Sequence, residues 1–139
     1  MIKSNLFQKA CMYGQLDIAK YLVSVDVNIR KQWGFAWACE RGHLEIVKYL
    51  ASIGADAKDD LAFAWACESG RLDMVKFLVS KGADAKSDWA FVYACKYGHL
   101  EVVKYLMSKG ADAKGDLPFR WAMDNKQHHI VEYLNQHRI

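Results

Sequence analysis

One proline and nine glycines in 139 residues are too few for a sandwich of many short, turn-linked strands, and they favour helices with short connections. Charge of one sign is also scarce. The chain has 19 Lys and Arg against 16 Asp and Glu, a formal charge of +3 that falls short of the basic field of most nucleic-acid binders. No apolar run approaches the roughly 18 residues of a membrane span. The opening MIKSNLFQKACMYGQLDIAK has no apolar segment leading to a small-residue cleavage site. These absences predict a soluble, unprocessed chain with no membrane partner. Apolar residues make up 53% and charged residues 25%, the balance of a globular domain with a packed core.

The sequence repeats. Gly14, Gly42, Gly70 and Gly98 stand 28 residues apart, and in the same frame Phe7, Phe35, Phe63, Phe91 and Phe119 form a column. So do Ala10, Ala38, Ala66, Ala94 and Ala122, and Leu22, Leu50, Leu78, Leu106 and Leu134. Five rows fill the chain, at about 4–31, 32–59, 60–87, 88–115 and 116–139, which predicts a single domain over 1–139. A period of this size marks supersecondary units that bury their apolar faces only by stacking on one another.

Each row reads as two antiparallel helices. In DLAFAWACESG, Phe63, Ala66 and Cys67 share a face, with Asp60 expected as N-cap and Gly70 as the left-handed stop. Asp88 and Asp116 recur in the N-cap column. RLDMVKFLVSK buries Leu72, Val75, Leu78 and Val79, with Asp73 and Lys76 outside. The stretch from Gly82 to Ser87 leaves room for a short connection only.

GHLEIVKYLASIGAD (42–56) and GHLEVVKYLMSKGAD (98–112) resemble the second helix and exit of an ankyrin repeat, and LPFRWAM (117–123) resembles its T-P-L-H-x-A opening, with Pro118 in the proline position. The resemblance covers nearly the whole chain and implies an all-α, ankyrin-like α-solenoid of five stacked helix-turn-helix repeats. The family repeat is usually about 33 residues. The missing residues fall where the family carries a β-hairpin finger, so a tight turn is expected there. The family's Thr column holds Trp33, Leu61, Trp89 and Leu117, and its His column holds Ala36, Ala64, Val92 and Arg120. Apolar packing is therefore expected in place of the hydrogen bonds that usually tie repeats together. Similar short repeats occur in the ankyrin arrays of large DNA viruses.

The terminal rows read as caps. Lys9 replaces the aromatic of Trp37, Trp65, Tyr93 and Trp121. In the last row Lys126 replaces the glycine, so Asn125 is expected to supply the left-handed turn.

Residues with chemical potential are dispersed by the period. Cys11, Cys39, Cys67 and Cys95 sit on successive helices roughly 8–10 Å apart, whereas a disulfide needs Cα atoms within about 7 Å. Four sulfurs in a row do not surround a tetrahedral zinc ion. They read as core fillers, and unpaired thiols point to a reducing cytoplasmic or other intracellular setting. His43 and His99 are two rows apart and read as inter-helix turn residues. His128, His129 and His137 offer at best a weak zinc pattern. No nucleophile has a base and an orienting carboxylate at hand, and no phosphate loop is present, so neither catalysis nor a cofactor is expected. The ladder Lys20, Lys48, Lys76, Lys104 has Asp17, Glu45, Asp73 and Glu101 three residues before it, which predicts an ion-paired outer face. The aromatic ladder Tyr21, Tyr49, Phe77, Tyr105, Tyr133 reads as lateral packing between second helices.

Columns that vary from row to row are those free to suit a partner. In the ankyrin family the positions before the inter-helix glycine lie on a concave face and often touch partners. Here they are Met12 and Tyr13, Glu40 and Arg41, Glu68 and Ser69, Lys96 and Tyr97, and Asp124 and Asn125, and Arg120 joins them. Tyr, Arg and Met match hot-spot chemistry. Trp33 and Trp89 are either partner anchors or lids over the shortened turns. The reading that follows is a non-enzymatic, mainly monomeric scaffold for a protein or peptide. A structural or weakly self-associating array is the alternative, and nucleic-acid binding through the Lys ladders a distant third.

Overall fold

The computed structural model describes residues 2–137. Among them the chain forms ten helices: α1 (Ile2–Met12), α2 (Leu16–Val25), α3 (Lys31–Arg41), α4 (Leu44–Ser52), α5 (Asp60–Glu68), α6 (Leu72–Ser80), α7 (Asp88–Lys96), α8 (Leu100–Ser108), α9 (Asp116–Asp124) and α10 (His128–His137). No strand separates them among the described residues. Each odd-numbered helix pairs with the even-numbered helix after it, and the odd-numbered helices stack in the order α1, α3, α5, α7, α9. This is the helix-pair solenoid that the period requires.

Side-chain volume sets how the stack closes. Phe7, Phe35, Phe63 and Phe91 are fully buried between first helices, each stabilising the fold by about 1.5–3 kcal/mol relative to an exposed ring. Beside them the small pairs Ala10/Cys11, Ala38/Cys39, Ala66/Cys67 and Ala94/Cys95 are also buried, and they let the helix axes come close. Second helices lack such small pairs and bury Ile46, Val47 and Leu50 in α4 and Met74, Val75 and Leu78 in α6. Neighbouring first helices accordingly lie closer than neighbouring second helices.

The connections are Asx turns. Asp56 Oδ1 accepts from the Lys58 amide at 2.9 Å, Asp84 Oδ1 from Lys86 at 2.9 Å, and Asp112 Oδ1 from Lys114 at 2.8 Å. The carboxylate of each GAD sequence closes the chain on itself, and the β-hairpin finger is replaced by this turn.

The helices α5, α7 and α9 begin one residue earlier than expected, and the N-caps shift with them. Asp59 caps α5 through Leu61 N, and Ser87 caps α7 through Ala90 N. Gly115 precedes α9 without a side-chain cap. Asp60, Asp88 and Asp116, expected as caps, instead occupy the first helical position, where a carboxylate still complements the helix dipole. The last repeat departs in a second way. Lys126 itself takes the left-handed conformation (φ 58°) while Asn125 stays at φ −99°. Asn125 instead donates its side-chain amide to the Trp121 carbonyl at 2.8 Å. The glycine column thus keeps its backbone geometry even where the glycine is lost.

Candidate interaction surface

Polar ties between repeats fix the backbone on which the surface is built. His43 Nε2 lies 2.9 Å from the Met12 carbonyl, His99 Nε2 2.6 Å from that of Glu68, and His129 Nε2 2.9 Å from that of Gly98. Gln32, in the first turn of α3, makes a further tie to the connection that leads into α5. Its amide nitrogen donates to the Asp56 carbonyl at 3.0 Å and to Asp59 Oδ2 at 2.9 Å, and its Oε1 accepts from Asp56 N at 2.7 Å. Apolar side chains fill the family's His column at the buried Ala36, Ala64 and Val92, and polar ties stand at other positions. The ties stand at the inter-helix turn, through the histidines, and between the start of α3 and the following connection, through Gln32.

Above this frame the first helices present one partly exposed face. Trp33, Trp37, Glu40 and Arg41 are spaced i, i+4, i+7, i+8 and so lie along one side of α3. Leu61, Trp65, Glu68 and Ser69 repeat the pattern in α5, followed by Trp89, Tyr93, Lys96 and Tyr97, and Leu117, Trp121, Asp124 and Asn125. Tyr13 is 63% exposed, Trp89 57% and Trp33 46%. Arg120 is exposed although its counterparts Ala36, Ala64 and Val92 are buried.

Several of the residues singled out from the sequence come together. Trp89 lies 6.1 Å from Tyr93 and 6.2 Å from Trp121, and Tyr93 lies 6.1 Å from Trp121, closing an aromatic triangle across α7 and α9. The Lys96 ammonium lies 5.1 Å from the ring centroids of both Tyr97 and Trp121. Asp60, Leu61, Ala64, Ser87, Trp89 and Tyr93 line an open cleft of about 380 Å³ between α5 and α7. Arg41 Nε stands 3.7 Å from Glu40 Oε2. Met12 and Tyr13 lie apart from these clusters at the end of α1, and Trp33 makes no ring contact among the described residues. Trp37, Trp65, Tyr93 and Trp121 are not among the candidate partner-binding residues of the sequence. They are half-buried and belong to this face. Their offset of four from the Trp33 column and three from the Glu40 column was the signal that placed them there.

The outer face differs from expectation. Lys20, Lys76 and Lys104 make no ion pair among the described residues. Their ammonium groups lie over the aromatic ring of the next repeat instead, at 5.4 Å from Tyr49, 5.8 Å from Tyr105 and 5.5 Å from Tyr133. Asp73, expected beside Lys76, turns its Oδ1 to the Met74 amide at 2.8 Å. The aromatic ladder thus packs under lysines rather than ring against ring. All four cysteines are free and buried. Burial raises every thiol above its ordinary range, Cys11 and Cys95 to about 12, and Asp59 adds to the burial effect at Cys39. Among the described residues no group of three or more His, Cys, Asp or Glu is placed to hold a metal ion, and no helix is long and apolar enough to cross a membrane.

A family model for ankyrin repeats (3 copies) matches residues 7–89 and 86–139. No curated protein matches the chain.

Proposed function

The chain belongs to the ankyrin-repeat family, and from that premise we propose that it is a non-enzymatic scaffold presenting the concave side of its stack to a protein or peptide. Ankyrin repeats are in general protein–protein interaction modules. The observation that carries the reading for this chain is the aromatic content of the first-helix face. Trp33, Trp37, Trp65, Trp89, Tyr93 and Trp121 stay partly exposed while the Phe, Ala and Cys columns beneath them complete the core. Aromatic anchors of this kind, flanked by Arg41, Lys96 and Tyr97, have hot-spot composition. The closer approach of the first helices supports placing them on the inside of the curve. Four unpaired, buried thiols support a reducing intracellular compartment.

The test is affinity capture from a cell extract with the intact array and with a Tyr13→Ala, Arg41→Ala, Tyr97→Ala variant, followed by titration of each recovered partner. A specific partner held by the intact array and lost by the variant supports the reading. A partner indifferent to the variant places binding elsewhere.

A further inference from the structure

We infer that the cleft between α3 and α5 seats the guanidinium of an arginine side chain on the protein partner. This rests on the interaction reading above and narrows it to one anchor. The cleft holds about 250 Å³ and is lined by Trp37, Glu40, Trp65 and Glu68. The two indoles stand in the same column of consecutive repeats, their centroids 5.2 Å apart and their planes inclined by 52°. They form adjoining walls and not a closed stack. Each glutamate follows its tryptophan by three residues, one turn further along the same face. Glu40 Oε2 is shielded from water and has no hydrogen-bond partner; Arg41 Nε, at 3.7 Å, pairs with it by charge but is beyond hydrogen-bond reach. The side chain itself is 34% exposed, so a turn of the carboxylate toward a ligand's donor would give that oxygen the hydrogen bond it lacks.

The same stack shows what such a wall accepts. In α7 the column of Glu40 and Glu68 holds Lys96, whose ammonium lies 5.1 Å from the centroid of Trp121. There the chain supplies its own cation. In α3 and α5 both positions are glutamate; Arg41 stands on one side of Glu40, but among the described residues no Lys or Arg lies over Trp37 or Trp65, so the indole faces are left for a cation from outside. Two carboxylates beside two electron-rich indole faces make the seat complementary to positive charge. A guanidinium suits it better than an ammonium. It is planar and weakly hydrated, so it can lie against one indole while its edge donates paired N–H bonds to a carboxylate.

The experiment titrates the intact chain with acetyl-Ala-Ala-Arg-Ala-Ala-amide and follows the indole N–H resonances by NMR. Trp37 and Trp65 should shift saturably with a Kd on the order of 1 mM, while Trp121, whose ring already carries Lys96, stays in place. The citrulline peptide, equal in shape but neutral, should leave Trp37 and Trp65 unmoved, and the lysine peptide should bind several-fold more weakly. Glu40→Gln with Glu68→Gln, which preserves side-chain shape, should weaken the arginine peptide by about tenfold, and Trp65→Leu should do the same. If Trp65→Leu disturbs the fold, the glutamine variant decides. Citrulline binding equal to arginine, lysine binding equal to arginine, or unchanged affinity in the glutamine variant would overturn the inference. If the arginine peptide moves neither indole while a captured protein partner still depends on Trp89 and Tyr97, this inference falls and the scaffold reading stands.

Discussion

His99 packs against Gly70 of the preceding repeat. Its Nε2 reaches the Glu68 carbonyl at 2.6 Å, and its ring fills the volume that a β-carbon on residue 70 would take. His43 stands in the same relation to Gly14 and the Met12 carbonyl, at 2.9 Å. The missing side chain in one repeat is what lets the next repeat's imidazole satisfy a carbonyl near the helix end.

Gly70→Ala is therefore expected to destabilise in two ways. Holding alanine at φ 73° costs about 1–2 kcal/mol, and displacing His99 removes a bond with a net value of about 1 kcal/mol. Denaturant unfolding should show their sum. In a His99→Ala background the loss should shrink by about the second amount. At Gly54 no atom lies within 4 Å of an added β-carbon, so Gly54→Ala should show the backbone cost alone.

Gly34→Ala sets helix propensity against packing. Alanine is favoured inside a helix by about 1 kcal/mol, but its methyl would lie 2.5 Å from Phe7 Cε2 and 2.7 Å from Cys11 Sγ. Phe7 is 1% exposed and cannot swing aside. Overpacking costs typically about 1–3 kcal/mol, so a net loss of stability on thermal unfolding is expected. A raised melting temperature would show that α1 shifts at little cost.

Alkaline pH should unfold the array. Each thiol binds its proton more tightly folded than unfolded, so its contribution is intact below the ordinary value of 9.0 and is lost as pH rises toward the folded value of about 12 at Cys11 and Cys95. In that window each thiol lowers stability by about 1.4 kcal/mol per pH unit. Unfolding followed by circular dichroism should show a cooperative transition above pH 9. Cys11→Ala with Cys95→Ala should make the fall less steep.

For partner binding, Tyr13→Ala, Arg41→Ala and Tyr97→Ala should each weaken a captured partner by about 1–2 kcal/mol where the residue is a true hot spot. Melting temperature should hardly move, because none of the three is part of the buried core.

Replacing Lys48, Lys76 and Lys104 by Gln should leave partner affinity unchanged and lower stability by less than about 1 kcal/mol each at Lys76 and Lys104, the value of an exposed cation–π contact. Loss of binding in this variant, or a steep fall of affinity with salt, would move the recognition surface to the outer face and toward phosphate.

The period, the helix pairs and the core columns were legible in the sequence because one buried position is filled by one residue type in every row, as Phe35, Phe63 and Phe91 show. What escaped was decided by geometry between rows. The reach of His99 to the Glu68 carbonyl depends on the offset of one repeat on the next, which a single row does not contain. Lys104 was read with Glu101 of its own helix, yet Tyr133 of the following repeat takes it. Asp59 caps α5 in place of Asp60 because the helix begins one residue earlier than expected, and two adjacent aspartates offer the same cap chemistry.

The histidine ties have a consequence for how this surface can change. The carbonyls of Met12, Glu68 and Gly98 at the rim of the face already accept from imidazoles, and helix interiors satisfy their own backbone. A visiting molecule meets little free main chain and must be recognised through side chains. Those side chains stand on columns that the core does not need, such as Glu40, Glu68, Lys96 and Asp124. Specificity can therefore be rewritten one residue at a time, from acidic at Glu68 to basic at Lys96 within a single step of the stack, while the scaffold beneath keeps its register.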